Sequence, residues 1–282
     1  MVEARYRKQR FFLVLCRSVT FAAVLVLSIL IIHILLEGVS YLRWDFFTNF
    51  PSRFPHKAGL KSALYGSAWV ISMTALFSVP LGVASALYLE EYAPKKRYIN
   101  WVQINILNLA GTPSIVYGLL GLAIFVRFFG LDRSLWSGSL TLTLLILPVI
   151  IISSQEAIRA VPDSIRHAAY SVGARKFQVA FGQVLPAALP GIMTGLILAI
   201  SRAVGETAPL IMIGALSYVA FVPEGPWDSF TSLPIQIYNW AGRPQAAFHG
   251  IAGAGIIVLL VFLFVMNFGA VMVRQRFQRY RN

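Results

Sequence analysis

Apolar residues along this chain gather into long runs instead of recurring at the helical or strand period of a soluble domain. A helix needs about 20 apolar residues to cross the hydrocarbon core of a bilayer. Six segments meet that length, at about 12–36, 64–89, 101–127, 136–155, 190–213 and 251–273. Only helices and closed barrels satisfy their own backbone groups in lipid, and runs this long suit helices. The pattern therefore predicts an all-α integral membrane protein with six transmembrane helices. The first run follows a basic start (Arg5, Arg7, Lys8, Arg10), as a signal peptide would. It extends from Val19 to Leu36, longer than a signal core, and no A-x-A site follows, so it reads as a retained span.

Composition agrees. Of 282 residues, 57% are hydrophobic and 12% charged, with a mean hydropathy of +0.71. A soluble domain carries about a quarter charged residues. The single cysteine, Cys16, excludes a disulfide framework and a Cys-based metal site, and His33, His56, His167 and His249 form no zinc-binding pair. The net charge of +13 sits in short segments between apolar runs, which fits membrane orientation and not nucleic acid. Sixteen Lys and Arg fall in the two termini, the 90–100 loop and the 157–189 loop. Seven (Arg43, Arg53, Lys57, Lys61, Arg127, Arg133, Arg243) fall in the alternate loops, and Arg202 lies inside a span. This bias places both termini in the cytoplasm, as an even number of spans requires.

Pro80, Pro113, Pro148 and Pro209 lie within runs, where each removes a backbone hydrogen bond and tends to kink its helix. Gly82/Ala86 and Gly195/Ala199/Ala203, at four-residue spacing, suit close helix–helix contact. Arg202 and Glu206 are the costly residues. A lone charge at mid-bilayer costs roughly 2.5–3.5 kcal/mol on insertion scales, so each needs a partner or water. Four residues apart, they share a helix face. Two readings stay open: a closed ion pair holding the fifth span to the bundle, or a cationic surface on an anion path. Thr112, Ser114, Tyr117, Ser72, Thr74 and Thr207 either line that path or hydrogen-bond within the bundle. Tyr41, Trp44, Trp227, Tyr238 and Trp240 are expected in interfacial belts.

The loop at 157–190 differs from the others. Pro162-Asp163-Ser164 can start a helix, with Asp163 or Ser164 as cap. Ile165, Ala168, Ala169 and Val172 then share an apolar face, and Gly173 ends or bends the helix. Phe177, Phe181 and Val184 repeat the pattern before Leu185-Pro186. The expectation is a short helix–turn–helix across the cytoplasmic ends of the spans, offering a compact surface to a partner.

His167-Ala168-Ala169, Gly173 and, nine residues on, Gln183-Val184-Leu185-Pro186 resemble the E-A-A-x-x-x-G-x9-I-x-L-P motif of type I ABC importer permeases. His167 stands where that motif has Glu, and Gln183 where it has Ile. The resemblance implies a MetI-like permease bundle whose loop inserts into a separate ATPase subunit. More narrowly, Ser201–Leu210, Leu233–Trp240, Ala110–Gly118 and Leu89–Pro94 are similar to stretches of the PstA family of phosphate-importer permeases. That family implies a PstC-like sister permease, a PstB-like ATPase dimer, a PstS-like binding protein and inorganic phosphate as cargo. Arg202 would face phosphate oxygens. Glu206 would either tether Arg202 or accept a hydrogen bond from protonated phosphate.

No G-x-x-x-x-G-K-[ST] loop occurs, so ATP and Mg belong to the partner and the chain needs no cofactor of its own. The expected division is an N-terminal span and external loop (1–62), a permease core (63–273) with its coupling loop, and a basic tail (274–282). Competing classes are a molybdate or sulfate permease, an ion-coupled secondary transporter, which usually shows an internal repeat, and a membrane-embedded enzyme, for which no Ser/His or metal constellation is present in the spans.

Overall fold

The computed structural model describes residues 2–94, 96–215 and 218–279; Lys95 and Arg281, two of the basic residues counted above, lie outside them. Every regular element among the described residues is helical. Long helices are α1 (Val2–Gly38), α3 (Lys61–Leu87), α6 (Leu135–Arg159), α9 (Leu185–Gly205) and α12 (Ala246–Arg279). Shorter ones are α2 (Trp44–Thr48), α4 (Arg97–Ala110), α5 (Ser114–Gly121), α7 (Asp163–Ser171), α8 (Lys176–Val179), α10 (Ala208–Met212) and α11 (Leu233–Ala241). Wide π-helical turns prolong α3 over Tyr88–Tyr92 and α5 over Leu122–Phe128, and join α8 to α9 over Ala180–Val184.

Among the described residues five helices are long and apolar enough to cross a bilayer, and the bent pair of α4 and α5 passes the same test together, as a broken span or a re-entrant loop. The expected third span at 101–127 is therefore not one straight helix. Its halves are bent by 102° at Gly111-Thr112-Pro113. Pro113 lacks the N–H a continuing helix would use, and its ring disfavours the helical conformation in Thr112. The expected fifth span at 190–213 is also revised at both ends. Its helix begins at Lys176 and stops at Gly205, because Pro209 cannot donate to that carbonyl and Glu206 turns to extended backbone (φ −75°, ψ 120°). Pro80 and Pro148, by contrast, sit inside uninterrupted helices.

α6 forms the centre, with α3 on one side and α9 on another; α9 also meets α12, and α12 carries α1 on its outer face. Leu142, Ile146, Ile150 and Ile158 of α6 are fully buried. The small residues do close the bundle. A side chain on Gly82 would collide with Ile150, and one on Gly195 with Ser153. Polar clips reinforce this packing: Thr74 donates to Val70 O at 2.7 Å and to Ser139 O at 3.3 Å, which commits it to the α3–α6 seam.

A second apolar cluster joins Phe46 of α2 to Leu233 and Trp240 of α11 and to Phe248 and Ile251 of α12. Trp240, expected in an interfacial belt, is instead fully buried with its ring 5.8 Å from that of Phe46. Trp44, Trp227 and Tyr238 are exposed as a belt requires. In α1, the long apolar surface from Phe11 to Leu36 stays mostly uncovered by the rest of the chain.

Candidate functional site

Two helix breaks meet in the bundle. In the first, Gly111 N–H donates to Asn108 O (3.2 Å), Thr112 N–H to Leu109 O (3.0 Å), and the Thr112 hydroxyl to Asn108 O (3.2 Å). Tyr117, one turn into α5 and buried, reaches back so that its phenol donates to Leu109 O at 2.8 Å. These bonds satisfy carbonyls that the bend leaves without helical donors. In the second break, Glu206 leaves α9 and Thr207 precedes α10. The two breaks are neighbours because α5 packs on α10. A Cβ on Gly118 would lie 2.7 Å from both Pro209 Cα and Met212 Cβ. Glycine is required there for the backbones to approach.

Arg202, one turn before the end of α9, donates through Nε to Glu206 Oε1 at 3.2 Å. The pair anticipated from four-residue spacing is thus formed. Its two members differ in exposure, with the Arg202 side chain 45% exposed and Glu206 16%. Thr112 and Tyr117 thus sit at the first break and Arg202 with Glu206 at the second, and the packing of Gly118 on Pro209 makes the two breaks neighbours. Ser114 heads α5 beside the first, and Thr207 turns its hydroxyl toward Gly205 O (3.5 Å). Sequence reasoning missed Asn267 of α12, whose Oδ1 accepts from Ser201 at 2.6 Å and ties α9 to the last span beside the arginine.

At the end of the bundle where α6 gives way to α7, the loop helix forms as Asp163–Ser171. Neither Asp163 nor Ser164 caps it; Pro162 holds the N-cap position, and Asp163 instead pairs with Arg166 at 3.2 Å. The far end closes as expected. Gly173 adopts φ +85°, Gly173 N–H donates to Tyr170 O (2.9 Å) and Ala174 N–H to Ala169 O (3.2 Å), the paired bonds of a Schellman cap. The second half of the expected helix–turn–helix is no separate element. Lys176–Val179 runs through the π turn directly into α9, and Pro186 explains that turn, since its ring and missing N–H open the helix behind it.

His167 and Ala168 are exposed, Ala169 and Leu185 half-buried, and Pro186 exposed. Around them Tyr170, Val172, Phe177 and Phe181 stand exposed, with the two phenylalanine rings 4.5 Å apart. A groove of about 640 Å³ runs between Ile165, Ala168 and Val172 on one side and Gln178 and Gln183 on the other.

Beneath α7 lies a set of ion pairs that the sequence did not disclose. Arg159, at the end of α6, holds both oxygens of Glu90 (2.6 and 3.1 Å), and Gln155 donates to the same carboxylate at 2.9 Å. Arg166, on α7, donates twice to Glu91 Oε1 (2.9 and 3.1 Å). It also donates to Val161 O (2.6 Å) and to Ile158 O (3.0 Å), the latter shared with the Val161 N–H at the end of α6. The adjacent glutamates both reach this corner from the π turn that prolongs α3. The available signal was a pair of carboxylates at a span end, a position where span orientation takes account of Lys and Arg alone.

A family model described as the inner membrane component of binding-protein-dependent transport systems matches residues 78–279. The chain is 31% identical over 250 residues to the probable ABC transporter permease protein YqgI of Bacillus subtilis (strain 168), covering 84% of this chain and 85% of that one. It is 35% identical over 217 residues to the phosphate transport system permease protein PstA 1 of Mycobacterium tuberculosis (strain ATCC 25618 / H37Rv), covering 77% and 70%. With the phosphate transport system permease protein PstA of Haemophilus influenzae it shares 33% over 238 residues, covering 82% and 81%. Among solved structures, its fold is similar to the inward-facing MetNI methionine ABC transporter (TM-score 0.61, 18% identity, 77% of this chain and 96% of that one). It is also similar to a bacterial alginate ABC transporter (TM-score 0.64, 17% identity, 92% and 95%). The chain belongs to the family of inner membrane components of binding-protein-dependent transport systems, as a multi-pass permease of an ABC importer.

Proposed function

We propose that this permease forms, with a PstC-like sister subunit, the path for inorganic phosphate across the membrane, driven by a PstB-like ATPase dimer and supplied by a PstS-like binding protein. The observation that carries the reading is Arg202. Its side chain is almost half exposed on the surface of this chain, at the meeting point of two broken helices. An arginine turned to lipid is expensive, and broken helices are tolerated where they border protein or a polar cavity. The surface around Arg202 is therefore best matched by a second permease enclosing a wet path. A planar guanidinium already held by Glu206 can offer its remaining donors to phosphate oxygens. The substrate class rests on the relatives named for phosphate transport.

The energy enters from outside the chain. Exposed His167 and Ala168, half-buried Ala169, the left-handed Gly173 and the start of α9 at Leu185-Pro186 form the seat for the ATPase, on the cytoplasmic side indicated by the Lys/Arg bias. Exposed Val172, Phe177 and Phe181 give that seat an apolar surface to bury. Reconstitution with the three partners tests the reading. Uptake of radiolabelled phosphate should need ATP and should ignore an imposed proton gradient. Uptake of molybdate or sulfate in place of phosphate, or uptake driven by the gradient alone, contradicts it.

A further inference from the structure

Two carboxylate–arginine ties join the end of α3 to the α6–α7 corner, and they differ in what they hold. The Glu90–Arg159 tie links α3 to α6, two elements already packed along their length, and Arg159 is 52% exposed. The Glu91–Arg166 tie reaches α7 and is the more enclosed of the two, with side chains 8% and 17% exposed. Apart from this tie, α7 meets the core through half-buried Ile165 and Ala169. None of its residues is fully buried, and a cavity of about 170 Å³ lies between its Ile165 and the small residues Ala157, Ala160, Ala188 and Gly191 of α6 and α9. One side of α7 is thus loosely packed, and the other is fastened by a guanidinium that also closes the carbonyls of Ile158 and Val161. A largely enclosed, multiply bonded pair resists separation, because parting it leaves two charges without partners.

We propose that Arg166 and Glu91 are positioning residues that make α7 move as one body with the inner end of α3, so that motion imposed on the loop by the ATPase is delivered to that span. The inference rests on the importer reading above. Force applied to α7 has two routes into the bundle. The route through the cavity absorbs displacement, since small side chains leave room, whereas the route through Arg166 is stiff. Glu91 alone receives that guanidinium from α3, and Glu90 leaves α7 untouched.

The test uses the whole reconstituted complex and reads phosphate transported per ATP hydrolysed, a ratio that a loss of folding or expression does not move. Glu91→Gln and Arg166→Gln should still bind the ATPase and hydrolyse ATP, while the ratio falls about fivefold or more. Glu90→Gln should leave it near the parent value. A second measurement does not depend on those variants retaining activity. In a Cys16→Ser background, spin labels at Tyr88 and Ser171 should keep their separation within about 2 Å between nucleotide-free and vanadate-trapped complexes. An unchanged ratio in Glu91→Gln, an equal loss in Glu90→Gln, or a label separation that shifts by about 5 Å or more overturns the proposal. If the parent complex takes up no phosphate with ATP, the importer reading itself fails; if it does and the ratio survives Glu91→Gln, only the mechanical role is lost.

Discussion

The phenol of Tyr117 donates a 2.8 Å hydrogen bond to the carbonyl of Leu109, bridging a bend of 102° between α4 and α5. Thr112 N–H reaches the same carbonyl at 3.0 Å. The bend is therefore a bonded corner with a fixed shape. Tyr117→Phe keeps the ring and removes one of two donors. The expected outcome is a loss of about 1 kcal/mol, seen as a melting temperature of the purified complex lowered by a few degrees.

Contact between the two breaks depends on Gly118. A valine there would overlap Pro209 and Met212, both held by α10 backbone. Overpacking of this kind costs about 1–3 kcal/mol. Gly118→Val should therefore lower both melting temperature and uptake in the same complex. Gly182→Ala, whose added Cβ meets nothing within 4 Å, should change neither.

Gly173 poses a different constraint. No atom crowds it, but its φ of +85° is unfavourable for a residue with a Cβ. Gly173→Ala should cost about 1–2 kcal/mol locally and weaken ATPase attachment, measured by co-purification, with little change in the melting of the spans.

The apolar rim of the loop is expected to carry attachment without carrying the fold. Val172 is 85% exposed and Phe177 63%, so Val172→Asp or Phe177→Asp leaves the core of the chain untouched. Each should detach the ATPase in pull-down while leaving the permease pair intact, since a charge placed in a buried contact goes unpaired.

The spans were legible because lipid demands uninterrupted apolar length, a requirement that residues such as Leu142, Ile146 and Ile150 record directly. The sharp corner at Gly111–Pro113 was less so. Hydropathy averages over three residues, and Pro80 and Pro148 show that a proline in a run need not break it. The early start of the fifth helix was hidden for the opposite reason, since Lys176–Val184 is helical but too amphipathic to look membrane-spanning. Trp240 was misplaced because an aromatic near a span end fits a belt as well as a core, and only the packing of α2 on α11 decides. In the candidate site, the Arg202–Glu206 pair could be read from four-residue spacing. The Glu91–Arg166 tie could not, because it joins residues 75 positions apart across a turn set by Pro162.

Arg202 carries the most weight in this account, and removing its charge measures that weight most directly. In proteoliposomes holding the assembled complex, Arg202→Gln should bind the ATPase normally yet take up phosphate about ten- to a hundredfold more slowly, the loss expected when a charged donor leaves an anion's path. Uptake by Arg202→Gln at the parent rate would contradict the placement of the phosphate path beside this arginine.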